Sequence, residues 1–449
     1  MNKIENFKKK LLAAAAEKGF ESAEFFYQSS RSRKINVFGG KIEKYQDSNV
    51  GGCSFRGLYN GNMGYYYSES LDESEIDNIL EMAAANAVLI ENDDKEFIFD
   101  GRDAVYTKVN TFDASLTDIT AEELADFALG LEKAVYSADK RVVNVLASTI
   151  TTGESYISIG NTAGLDISEH SNYAFGFADC VAEENGMTKE NGEFAFYTKK
   201  SMLDPEALAK AAVQKTVAML GADSVESGSY KVIIKNEAMA DLLDCYTGNF
   251  YGENVQKGFS LLKGRTGEKI ASELITLTDD PHLDGGLSTT AFDSEGVPTR
   301  RNTLIENGVL KMFLHNLKSA AAADEEPTGN GFKQSFKGTV GISATNLYIK
   351  NGDKEFAELC KIMQNGLIIT ELSGLHSGAN SISGDFSLLA SGYKVQNGEI
   401  ISPVEQITAA GNFYDLLNMA KAVGNDLKFN SGAVGSPSVL FDEISIAGK

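Results

Sequence analysis

The residues with the clearest chemical potential lie between positions 229 and 249, SYKVIIKNEAMADLLDCYTGN. Asn236 and Asp241 flank Glu237 at positions where a zinc-dependent hydrolase would set two histidines around a glutamate. In that arrangement the imidazoles hold the metal and the glutamate takes a proton from metal-bound water. Here both imidazoles are missing. The neutral amide of Asn236 is a weak zinc ligand, and the Asp241 carboxylate makes no three-ligand site alone. Glu237 keeps the character of a general base but has no metal-bound water to act on. Cys245, one turn past Asp241, reads as a packing residue rather than a replacement ligand.

Other chemistry is weaker. The four histidines, His170, His282, His315 and His376, are far apart and none belongs to an H-E-x-x-H pair; surface or hydrogen-bonded roles are expected. Residues 258–269 hold glycines and lysines without phosphate-loop spacing, and no G-x-G-x-x-G follows a strand. Residues 374–378 (GLHSG) place Ser377 one position late for a nucleophile elbow, so a loop is expected. Asp279, Asp280, Asp284, Asp293 and Glu295 sit among turn formers and read as solvated turn residues rather than a hard-cation site.

The elements that must carry the 236–241 cluster follow from periodicity. Tyr230, Val232 and Ile234 alternate with Lys231, Ile233 and Lys235, which predicts a strand. Ala238, Leu242 and Cys245 then share one side of a helix, with Gly248 as its expected left-handed cap. Upstream, residues 4–18 predict an amphipathic helix, and Gly39-Gly40 and Asn60-Gly61 predict hairpins. Ser70 to Glu73 and Thr120 to Glu123 each predict a capping box. Asp204-Pro205-Glu206 predicts another helix start. Residues 142–182 predict several strands broken at Gly153, Gly160-Asn161 and Gly164. The resulting fold class is α+β. A mixed α/β region of two sub-units, 1–92 and 93–221, is followed by a linker near 221–228 and a β-rich domain at 228–449.

Composition narrows the function. The chain has 449 residues and a net charge of −22, so it lacks the clustered basic surface that tracks nucleic acid or anionic membrane. The apolar run at 11–16 is too short for a signal peptide, and no stretch reaches bilayer length. The four cysteines form no C-x-x-C pair, which fits a reduced, cytoplasmic setting.

Three stretches go beyond composition. The first is 292–299 (FDSEGVPT) followed by 304–310 (LIENGVL). The second is 383–387 (SGDFS), continuing through ASGY at 390–393 to NGEI at 397–400. The third runs from 404–411 through VGND at 423–426 and GSPSVL at 435–440 to Gly448. In this order the chain resembles the TldD/PmbA family, and specifically its PmbA (TldE) branch, over essentially its whole length. The resemblance implies a cytosolic two-subunit metalloprotease, concerned with proteolysis and the maturation of peptide precursors. Its TldD-type subunit carries H-E-x-x-x-H and zinc; its TldE-type subunit lacks the metal site. Placed on this sequence, the motif falls on Asn236-Glu237-Ala238-Met239-Ala240-Asp241. The expectation is therefore no catalytic residue, no metal and no cofactor in this chain, with zinc in a TldD-type partner. A heterodimer with that partner, a homodimer in isolation and a peptide substrate are implied with it. Two alternatives stand beside this reading: an autonomous peptidase with a metal site the motif does not reveal, and a regulatory binding protein acting on DNA gyrase, after the branch's older name.

Overall fold

The computed structural model describes residues 2–89 and 96–449. Helix α1 (Asn2–Glu17) turns Phe7, Leu11 and Ala15 into a core. Strands β1 (Ser22–Phe38), β2 (Lys41–Tyr59) and β3 (Asn62–Ser68) follow. Gly39-Gly40 and Asn60-Gly61 connect them, all four at positive φ as a tight hairpin turn requires. The next helix, α2 (Ile76–Leu89), lacks the expected capping box. Asp72 instead precedes a short 3₁₀ turn without a side-chain capping bond to it, while the Ser70 hydroxyl accepts from the Asp72 N–H. A local serine turn has won over the cap.

Beyond the short helix α3 (Ala114–Thr117), α4 (Ala121–Ala138) starts at the expected Thr120–Glu123 capping box. Strands β4 (Val142–Asn161), β5 (Asp166–Glu184) and β6 (Met187–Tyr197) lead to α5 (Pro205–Ala218), capped by Asp204. The expected break at Gly153 does not occur. The Tyr173 ring on β5 lies 2.5 Å from where a Cβ would be, so this glycine makes room within a strand rather than a turn.

The six strands form one antiparallel sheet in the order β3-β2-β1-β4-β5-β6. β1 pairs with β4 from Glu24 opposite Asn161 to Val37 opposite Ser148, so both N-terminal sub-units share a single sheet. The expected boundary at 92–93 lies outside the described residues. Helices α1, α2, α4 and α5 cover one face. On the other face, around β1–β3, Phe26 packs with Phe292 and Phe336 of the C-terminal region. At the far end, Tyr173 stacks on Phe196 and Phe175 on Phe194, with centroids 5.6 and 5.5 Å apart. These four rings are not buried.

The C-terminal region opens with β7 (Gly228–Ile234), α6 (Asn236–Asp244) and α7 (Gly252–Gln256). Gly248 does not cap α6 in a left-handed turn; it lies inside a 3₁₀ turn that extends the helix toward Phe250. Short pieces follow: β8 (Leu277–Asp279), β9 (Asn302–Glu306), β10 (Val309–Leu310), α8 (Leu317–Ala323), β11 (Gly331–Phe332), β12 (Gly341–Ile342), β13 (Leu347–Ile349) and α9 (Phe356–Met363). After β14 (Gly366–Ser373), the expected loop at 374–378 holds one helical turn, α10 (Leu375–Gly378). Strands β15 (Asp385–Gln396) and β16 (Glu399–Asn412), helix α11 (Phe413–Asn418), and strands β17 (Ala420–Val423), β18 (Lys428–Phe429), β19 (Val434–Ser436) and β20 (Val439–Ala447) complete the chain.

One sheet runs β16-β15-β14-β7-β20-β17, and β16 also pairs with β20 through residues 408–410, closing a ring of five strands. A second runs β10-β9-β8-β13-β19-β18. β7 lies between parallel β14 and antiparallel β20. Val232 and Ile234 pack with α6 on one side, and Ile233 packs against Leu359 and Met363 of α9 on the other. Burial on both faces is why the last three residues of this strand, Val232 to Ile234, are all apolar.

Candidate functional site

β7 hands the chain to α6 at Lys235, whose N–H donates to the Ile369 carbonyl (2.8 Å). The strand core therefore fixes where the first turn of α6 lies. Asn236 is buried there and fully occupied. Its Nδ2 donates to the Asp426 carbonyl (2.8 Å), and its backbone N–H donates to the Ser438 hydroxyl (3.2 Å). Ser438 in turn donates to the Asp426 carboxylate (2.7 Å).

Glu237 points toward the N-terminal region. Its carboxylate meets Lys215 of α5 at 2.5 Å and forms a second ion pair with Lys428 of β18. Glu193 of β6, 6% exposed, lies 2.7 Å from Lys215 and 3.2 Å from Lys428. Two carboxylates and two ammoniums thus close a neutral cluster between the sheet of the N-terminal region and α6. Burial pushes the Glu237 carboxyl up, but Lys215 and Lys428 outweigh it and hold it below the usual carboxylate range. For Lys215 burial pushes down, and Glu237 and Glu193 more than compensate.

Asp241, one turn along, accepts from Asn430 Nδ2 (3.1 Å), which also reaches Asp244 (3.2 Å). Burial raises the Asp241 carboxyl; the bond from Asn430 opposes this, and the negative charges of Glu237 and Asp244 add to it. Cys245 packs at the edge of the core, its thiol pushed up to about 11 by burial. A reactive thiolate is not favoured there.

These residues do not fit a zinc ion. The Asn236 amide is spent on Asp426, Asp241 on Asn430, and Glu237 on two ammonium groups. Two lysine charges beside a carboxylate also oppose a divalent cation. Among the described residues no group of three histidine, cysteine, aspartate or glutamate side chains could hold a metal. Glu237 is thus ion-paired to two ammoniums, with no imidazole beside it.

The structure brings Asn236, Glu237 and Asp241 together as their spacing requires. It adds three residues that carried no local signal, Glu193, Lys215 and Lys428, and Lys428 lies 235 positions from Glu193. The histidines stay dispersed: His170 bonds Glu154 (2.7 Å), His282 bonds Thr299 (3.1 Å), and His315 bonds Ser319 (3.0 Å) in a buried position. Of the acidic residues expected in solvated turns, Asp284 is exposed, and the other four are a correction. Asp279, Asp280, Asp293 and Glu295 are buried, and each is bonded within the protein. Asp293, for example, accepts from the N–H groups of Glu295, Val297 and Gly331 and organises its own loop.

Comparison with known proteins agrees with this architecture. Residues 23–87, 114–220 and 227–448 match domain 1, the central domain and the C-terminal domain of the PmbA/TldA metallopeptidases. Metalloprotease PmbA of Escherichia coli O157:H7 is 31% identical over 336 residues, covering 74% of this chain and 71% of that protein. A solved structure described as a candidate modulator of a DNA gyrase from Thermotoga maritima is 35% identical with a TM-score of 0.92, covering 99% of this chain and 100% of that one. TldE from Thermococcus kodakarensis is 25% identical with a TM-score of 0.90, covering 98% and 100%. With its domains matched in order and its fold superposed almost end to end, this chain belongs to the PmbA/TldD metallopeptidase family.

Proposed function

We propose that this chain is the TldE-type, non-catalytic subunit of a cytoplasmic TldD/TldE-type peptidase, and that zinc and peptide cleavage belong to its TldD-type partner. The observation that carries this reading is the state of Glu237. In a zinc peptidase that carboxylate must be free to take a proton from metal-bound water; here it is held by Lys215 and Lys428. The flanking positions support it, because Asn236 and Asp241 are engaged by Asp426 and Asn430. The partly exposed aromatic face around Tyr173, Phe175, Phe194 and Phe196 supports association with another chain, since apolar patches of this kind mark contact surfaces. Among the described residues no helix is long and apolar enough to cross a membrane.

The test is to purify the chain alone, measure zinc per chain, and follow cleavage of an unstructured peptide before and after adding a TldD-type subunit. Substoichiometric zinc and no cleavage alone, with cleavage on addition of the partner, are expected. Stoichiometric zinc together with cleavage by the isolated chain would make it an autonomous peptidase and overturn the proposal.

A further inference from the structure

A cavity of about 920 Å³ lies where the N-terminal sheet meets the C-terminal region, walled by β2, β3, α7, α8 and the β11–β12 connection. That volume is in the range of small-ligand sites, roughly 300–1,000 Å³. Arg56, Tyr65, Glu295, Asn316, Lys333 and Val340 contribute to its lining. Lys333 is the unusual member, only 9% exposed. Its ammonium donates to the Ser54 hydroxyl (2.9 Å) and lies 4.5 Å from the centre of the Phe26 ring and 5.5 Å from that of Tyr65.

The nearby carboxylates are already spent. Glu24 gives both oxygens to Arg56 (2.8 and 2.9 Å). Glu295 gives one oxygen to Arg56 (2.9 Å) and the other to the Leu317 N–H (2.8 Å). Among the described residues no carboxylate oxygen lies within 4.0 Å of the Lys333 ammonium. A buried charge without a direct counter-ion is costly, and aromatic faces repay only part of it. Burial accordingly pushes the Lys333 ammonium down to about 8. A solute anion entering the cavity would supply the missing partner.

The surroundings select the kind of anion. Arg56, Lys333, Glu24 and Glu295 sum to zero, and on the wall Glu96 and Glu253 are paired with Lys318 and Lys257. One added negative charge pairs with Lys333; the second charge of a dianion such as phosphate would meet Glu24 and Glu295, with the other lining cations already matched by carboxylates. We propose that this cavity receives the C-terminal carboxylate of a short peptide, with Lys333 as its ionic partner. The choice of a peptide, rather than another monocarboxylate, rests on the peptidase-subunit reading above.

The test is calorimetric titration of the full chain with N-acetyl-Ala-Phe-Ala as the free acid, with its C-terminal amide, and with inorganic phosphate. The acid should bind at least about ten-fold tighter than the amide or phosphate. Lys333→Met keeps the apolar contact with Phe26 and Tyr65 and should abolish that preference. Equal affinity for acid and amide, no binding of either at millimolar concentration, tighter binding of phosphate, or a preference that survives in folded Lys333→Met would each overturn the proposal. If Lys333→Met does not fold, hydrogen exchange on the unmodified chain decides: the acid must slow exchange at 54–65 and 331–340, and slowing confined elsewhere overturns it. Binding needs neither metal nor cleavage, so failure here leaves the zinc and partner measurements standing.

Discussion

Glu237→Gln tests the ion-paired site most directly. It keeps the side-chain volume and removes one negative charge from a cluster of two carboxylates and two ammoniums. Lys215 and Lys428 then share Glu193 alone. Breaking a fully buried pair costs about 3–5 kcal/mol, whereas exposed pairs contribute about 0.2–1 kcal/mol. Here the Glu237 side chain is 20% exposed and those of Lys215 and Lys428 are 33% and 39% exposed. Solvent therefore absorbs much of the loss, and a destabilisation of about 2 kcal/mol is expected. It falls on the contact between α5 and α6, so thermal unfolding should begin earlier and proteases should cut faster within 221–227. Adding Lys428→Met should cost less than the sum of the two single changes, because the second removes the charge that the first left unmatched. Cleavage by the pair reconstituted with a TldD-type subunit, per assembled complex, should stay within about two-fold of the unmodified pair. A fall of about a hundred-fold or more with assembly intact would place Glu237 in the chemistry and refute the reasoning.

The same ion pairs set a pH dependence. The folded Glu237 carboxyl titrates below its unfolded value of about 4.3, so its contribution is present above that value and lost as pH falls through the folded one. The stability gap between the unmodified chain and Glu237→Gln should therefore close on acidification; a gap that widens in acid would contradict the assignment. Gly52→Ala would place a Cβ 2.4 Å from the Phe336 ring and 2.6 Å from the Ser68 carbonyl, so denaturant unfolding should show a loss of about 1–3 kcal/mol. An unchanged midpoint would mean that the sheet and the C-terminal region do not pack so closely. Sedimentation of the isolated chain should show a homodimer that gives way to a heterodimer when a TldD-type subunit is added; a monomer at micromolar concentration would count against the partner reading.

Much of the scaffold was legible because it is local. The apolar run of β7, the Asp204-Pro205 cap and the Asn60-Gly61 turn each depend on a few adjacent residues, and each forms as the sequence requires. The positions of Asn236, Glu237 and Asp241 were legible for the same reason. What Glu237 does was not, because its partners come from α5 and β18, far away in the chain. Gly153 misled because a glycine inside a strand and one in a turn look alike until the ring of Tyr173 on the neighbouring strand is seen. The acidic residues near 280 and 293 misled in a related way. Their composition is that of a surface turn, and only the tertiary fold shows Asp279 bonded to Asn330 and Thr345 out of solvent.

The ring of five strands has a consequence for how the protein is made. β7 is completed on one side by β20, about two hundred positions later, and the ring closes only when β16 also meets β20. During synthesis β7 would emerge long before its antiparallel neighbour, leaving one edge of its apolar Val232–Ile234 half bare. Pairings of such long range form slowly, and unpaired edges are where nascent chains stick to one another. The C-terminal region is thus expected to remain dependent on chaperones until β20 has left the ribosome, while the N-terminal sheet, whose strands all lie before residue 198, completes its pairing earlier.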